Sequence, residues 1–122
     1  MTSRNRQLWK VALASLVGLS PLGALASYTC TGQVSTLGVW DNGDLAYSLS
    51  GSQWTQVHMI CNLHSPFNAV TVESCKAFYA TLLAAKASGQ QVTAWYRDDG
   101  LTCSTQPSWN EVKSLYFLQG PT

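Results

Sequence analysis

The sequence predicts a mainly β domain with a single helix, in the order strand-strand-strand-helix-strand-strand. Two observations carry that expectation. Apolar residues recur at helical spacing in one segment only, Thr71 to Gly89. About three strand-like segments with alternating side chains precede it, and two follow.

Residues 1–26 are set apart first. Arg4, Arg6 and Lys10 make a basic start, Val11 to Ser20 is a short apolar run, and Pro21 and Gly23 interrupt it. Ala24-Leu25-Ala26 then offers a small-x-small cleavage site before Ser27, the three-part layout of a secretory signal peptide. A spanning helix needs ~20 apolar residues, and this run is broken sooner. Residues 27–122 are therefore expected as one exported domain, secreted or periplasmic, with no membrane span in the mature chain.

The whole chain carries a formal charge of +1. Once the leader is removed, Lys76, Lys86, Arg97 and Lys113 stand against six acids, a net charge of −2. With no basic patch or stripe, nucleic-acid binding is not expected.

Tyr28 to Trp40 is rich in Thr, Val and aromatic residues and reads as the first strand. Its glycines, Gly32 and Gly38, suggest a bend or bulge. Asp41-Asn42-Gly43-Asp44 is a hairpin turn signal. Leu45, Tyr47 and Leu49 alternate with Ala46, Ser48 and Ser50, as in a half-buried second strand. After Gly51-Ser52-Gln53, the residues Val57, Met59, Cys61 and Leu63 mark the expected inward face of a third strand. Thr71 suits an N-cap, Glu73 the positive end of the helix dipole, and Gly89 a C-terminal stop. Cys75, Phe78, Tyr79, Leu82 and Ala85 form the helix's apolar stripe. Val92, Ala94 and Tyr96 mark the fourth strand, with Trp95 on its other face, and Val112 to Leu118 the fifth.

Five strands with a helix between the third and fourth is the order of an OB-fold, a five-stranded Greek-key barrel. That order makes a prediction about the cysteines. The first strand of such a barrel runs antiparallel to the fourth, so Cys30 and Cys103 come together. Cys61 ends the third strand and Cys75 opens the helix, so these two meet as well. Four cysteines in a short exported chain read as two disulfides, Cys30–Cys103 and Cys61–Cys75. A metal site is disfavoured because no Cys-x-x-Cys spacing occurs.

The search for chemistry turns up little. His58 and His64 lie roughly 20 Å apart if extended, too far to share a metal, and read as independent surface or loop histidines. No Gly-x-Ser-x-Gly elbow occurs. Asp41, Asp44, Asp98 and Asp99 form two acidic turns without EF-hand spacing. No catalytic residue, metal or cofactor is expected. Trp40, Trp54, Trp95 and Trp109 are the binding candidates, because exposed indoles are platforms for sugar rings or for a protein partner.

Cys75 to Tyr96 resembles the helix and following strand of the B subunits of subtilase cytotoxin and pertussis-like toxins, where a long helix ends in a Gly-Gln or Gly-Lys turn and leads into a Val-x-x-x-aromatic strand. Val57 to Leu63 looks like the third strand of those subunits. A group of small exported bacterial proteins with the same four-cysteine layout looks closer still. The resemblance is strongest over residues 54–97. It implies an OB-fold, a homopentamer with its helices lining the centre, and glycan binding on the outer face. The chain departs from the toxin pattern in having no cysteine in Leu45–Ser50 and in the additional Cys75 and Cys103. No sialic-acid-binding residue of those toxins maps to a position here. The sequence thus points to an exported, non-catalytic binding module of OB type, with a secreted or periplasmic protein-binding or inhibitor domain as the alternative and a small enzyme using His58 or His64 as a third reading.

Overall fold

The computed structural model describes residues 27–121. The expected leader lies outside the described residues. The elements are β1 (Tyr28–Val39), β2 (Asp44–Ser50), β3 (His58–Asn62), α1 (Val72–Ser88), β4 (Gln91–Tyr96), β5 (Asn110–Glu111) and β6 (Leu115–Gln119), with a 3-10 turn at Cys103–Thr105. The protein is mainly β with one helix, as expected. No described helix is long and apolar enough to cross a membrane.

The strands form one sheet in the order β5-β3-β2-β1-β4-β6. β1 is the hub, and it changes partner along its length. Its first half pairs antiparallel with β4, from Tyr28↔Tyr96 to Gln33↔Gln91. Its second half pairs antiparallel with β2, from Gln33↔Ser50 to Val39↔Leu45. A bulge between Val34 and Thr36 bends the strand just past the exchange. Gly32 sits beside it for a steric reason, since a Cβ there would collide with the Ser50 carbonyl. The strand does carry an irregularity, but it lies between Val34 and Thr36 and not at Gly32 or Gly38.

The expected fifth strand is two strands. Asn110–Glu111 runs parallel to β3, extended by Val112 N–H donating to Met59 O at 2.9 Å. Leu115–Gln119 runs antiparallel to β4. A turn at Lys113 and Ser114 separates them while Val112 stays buried. The segment must leave one strand partner and reach another across the sheet, and one straight strand cannot serve both. The sheet thus has six strands and is not closed by a continuous fifth.

Two further expectations need correction. β2 is not half-buried, because Ala46 and Ser48 are buried along with Leu45, Tyr47 and Leu49. β3 is phased differently. A register shift opposite Leu45/Ala46 leaves Ile60 as an extra residue, so His58, Ile60 and Cys61 are all buried while Val57 and Met59 are only half-buried.

Helix α1 matches its sequence signals closely. Thr71 Oγ1 accepts from the Ser74 N–H at 3.1 Å, and Gly89 ends the helix in the left-handed conformation at φ 71°. Cys75, Leu82 and Ala85 are fully buried, with Phe78 and Tyr79 packed on the core beside them. Both disulfides are Cys30–Cys103 and Cys61–Cys75, with Cα–Cα distances of 5.7 and 5.6 Å. The first fastens β1 to the segment after β4; the second pins the helix start to β3.

Candidate functional site

The β1–β2 turn projects one indole and holds it firmly. Gly43 N–H donates to Trp40 O at 2.9 Å, and Trp40 N–H donates to Asp44 O at 2.8 Å. Gly43 has φ 95°, which favours glycine. Buried Asn62 clamps this turn from β3. Its Nδ2 donates to Asn42 O at 3.0 Å and to Asp44 Oδ1 at 2.8 Å, while its Oδ1 accepts from the His64 and Ser65 N–H groups at 2.7 and 3.0 Å. Leu63 N–H adds a bond to Gly43 O at 2.8 Å.

A second indole arrives from just before β5. Trp109 adopts φ 56°, a left-handed conformation that costs a non-glycine residue about 1 to 3 kcal/mol. Its N–H donates to Val57 O at 2.6 Å, which holds the backbone there. The ring centroids of Trp40 and Trp109 lie 6.1 Å apart with their planes at 90°. The rings remain 48% and 57% exposed. They wall an open groove of about 440 Å³ whose remaining lining is Thr36, Gly38, Val39, Asp41 and Ala46.

The other two tryptophans lie elsewhere. Trp54 borders a separate depression with Gln53 and Thr102. Trp95 is half-buried against Phe117, at 6.1 Å between centroids, and its Nε1 faces Gln119 Oε1 at 3.4 Å. The four indoles expected as binding candidates thus divide into one pair and two singles. Sequence reasoning did not find Gly38 and Asp41 as groove residues. The Asp41 turn was legible, but its nearness to Trp109 depends on a contact across nearly seventy residues.

A second groove of about 450 Å³ is lined by Arg97, Asp99, Glu111, Lys113 and neighbours. Its charges are engaged: Lys113 pairs with Glu111 at 3.4 Å, Arg97 lies over the Tyr116 ring, and Asp99 accepts from the Ser114 and Tyr28 hydroxyls.

His58 is a core residue of β3, not the surface or loop residue expected. Its Nδ1 lies 2.8 Å from Gln56 O, and its Nε2 lies 2.8 Å from the Tyr96 hydroxyl. A carbonyl can only accept, so Nδ1 carries the proton and Nε2 accepts from Tyr96. Tyr96 in turn bonds the buried Tyr47 hydroxyl. Burial pushes His58 down to about 4 and holds Tyr47 and Tyr96 well above the ordinary phenol value. Tyr28, stacked on Tyr96 at 5.2 Å, is raised to about 12, chiefly by burial. All of these groups are neutral near pH 7. His64, by contrast, is exposed. Among the described residues no three of His, Cys, Asp and Glu gather as a metal site. The Trp40–Trp109 groove presents two exposed aromatic rings and the exposed Asp41 to solvent.

No family model, curated protein or solved structure matches the chain.

Proposed function

We propose that this protein is an exported, non-catalytic carbohydrate-binding module whose ligand lies in the Trp40–Trp109 groove. The observation that carries the reading is the pair of exposed indoles at right angles. Their geometry suits a sugar ring, with one indole beneath its C–H face and the other beside it. The low-value, fully buried His58 argues against the enzyme reading through that residue. Two disulfides fit an oxidising compartment.

The scaffold is, on this reading, an OB-type barrel whose last strand is broken. In support, the two outermost strands of the sheet, β5 and β6, are consecutive in the chain with only Val112–Ser114 between them. Assembly as a homopentamer, implied by the toxin resemblance, finds some support in the outward face of α1, where Ala77, Ala80, Leu83, Ala84 and Ala87 are exposed. Light scattering after size exclusion tests it, and a monomer removes the ring.

The protein-binding alternative is favoured by a different surface, the Trp95–Phe117 pair on the β4–β6 face beside exposed Tyr116. A glycan array separates the two readings. On the first, glycan binding is lost in Trp40→Ala and Trp109→Ala and kept in Trp95→Ala. Binding that survives both groove variants would sink the first reading.

A further inference from the structure

Gly38 occupies a strand position that has no structural need for glycine. Its backbone is not in the left-handed region, and an added Cβ would meet nothing within 4 Å. Gly32, in the same strand, cannot accept a Cβ because of the Ser50 carbonyl. A strand glycine costs roughly 0.5 to 1 kcal/mol relative to alanine. At Gly38 that cost returns no turn and no close backbone approach. What the missing side chain leaves is open floor, because Gly38 lines the groove between Trp40 and Trp109.

The polar groups around that floor are also informative. Among the described residues, Asp41 is the one charged residue lining the groove. Its neighbours in the turn are occupied, with Asn42 Oδ1 accepting from Asp44 N–H at 2.9 Å and Asp44 Oδ1 accepting from Asn62. Asp41 takes part in neither bond, and the one ion pair among the described residues lies elsewhere, between Lys113 and Glu111. A free carboxylate accepts two hydroxyl donors side by side, as vicinal sugar hydroxyls present them. None of Lys76, Lys86, Arg97 or Lys113 lines the groove, so nothing there compensates an acidic ligand.

We infer that the groove takes an uncharged sugar, a neutral pyranose whose ring lies over the Gly38 floor against the indoles and whose vicinal hydroxyls donate to Asp41. Acidic sugars are rejected. Sialic acid, uronic acids and sulfated residues would bring a second anion toward Asp41 with no cation in the groove lining to offset the like-charge repulsion. The inference rests on the glycan reading proposed above and narrows it.

The test is an array bearing neutral hexose and fucose oligosaccharides beside their sialylated, sulfated and uronic-acid counterparts, followed by titration of the best binder. Neutral glycans bind, and their acidic counterparts bind roughly tenfold or more weakly. Gly38→Phe fills the floor and lowers neutral binding roughly tenfold or more at an unchanged melting temperature. Gly38→Val gives the same direction if the larger ring disturbs folding. Asp41→Asn weakens neutral binding and shrinks the gap to acidic glycans. Binding confined to acidic glycans overturns the neutral-sugar inference and leaves the glycan reading standing. Neutral binding undiminished in both folded Gly38 variants overturns the floor assignment. An array with no binder at all removes the glycan reading itself.

Discussion

The Nε2 atom of His58 accepts a hydrogen bond from the Tyr96 hydroxyl at 2.8 Å in a fully buried part of the core. Only a neutral imidazole can make this bond, and the consequence is a pH-dependent fold. The value of His58 is about 4 in the folded protein and 6.5 ordinarily. Between those values the unfolded chain binds the proton and the folded chain does not. Stability is therefore complete above about pH 6.5 and falls as pH drops through 4, by about 3 kcal/mol. Urea unfolding from pH 7.5 to 4 checks this. His58→Gln, which cannot titrate, flattens the acid side of the curve; a wild-type curve equally flat would count against the buried neutral imidazole.

Both disulfides should contribute through the unfolded chain. Cys30–Cys103 spans 73 residues and Cys61–Cys75 spans 14. Their removal as Cys-to-Ala pairs should cost about 4 and about 3 kcal/mol respectively. Non-reducing peptide maps that link Cys30 to Cys61 would overturn the pairing.

Asn62 is the clamp beneath the Trp40 turn. Asn62→Ala leaves the His64 and Ser65 N–H groups without their acceptor and frees the turn. The expected loss is about 2 kcal/mol, accompanied by altered Trp40 fluorescence. Unchanged stability and unchanged emission would mean that the turn holds itself.

The two glycines of β1 should respond oppositely to one methyl group. Gly32→Ala forces its Cβ against the Ser50 carbonyl and should cost about 1 to 3 kcal/mol. Gly38→Ala should be neutral or stabilising by up to about 1 kcal/mol. Thermal melts of the pair decide it, and equal losses at both sites would refute the distinction between them.

Much of the fold was legible locally. Helix α1 announced both of its ends through Thr71 and Gly89, because caps are short-range chemistry. The Asn42-Gly43 turn and the alternation of Val92, Ala94 and Tyr96 were equally local. The strand order was legible enough to pair the cysteines. What failed was phase and continuity. The bulge at Ile60 turned His58 inward, and the exchange of partners between β3 and β4 broke the last strand at Lys113 and Ser114. Neither event leaves a trace in residue types, since each answers to a neighbour far along the chain.

The site divides the same way. Residue types and spacing were enough to place four tryptophans beyond the leader, three near turns or in loops and Trp95 in a strand, and to pair the four cysteines as two disulfides. That Trp40 and Trp109 meet while Trp54 and Trp95 stay apart from them follows from long-range pairing alone. Side-chain alternation and capping are set within a few residues. The groove is set by the parallel pairing of β5 with β3, which brings Trp109 beside a turn it never approaches in sequence.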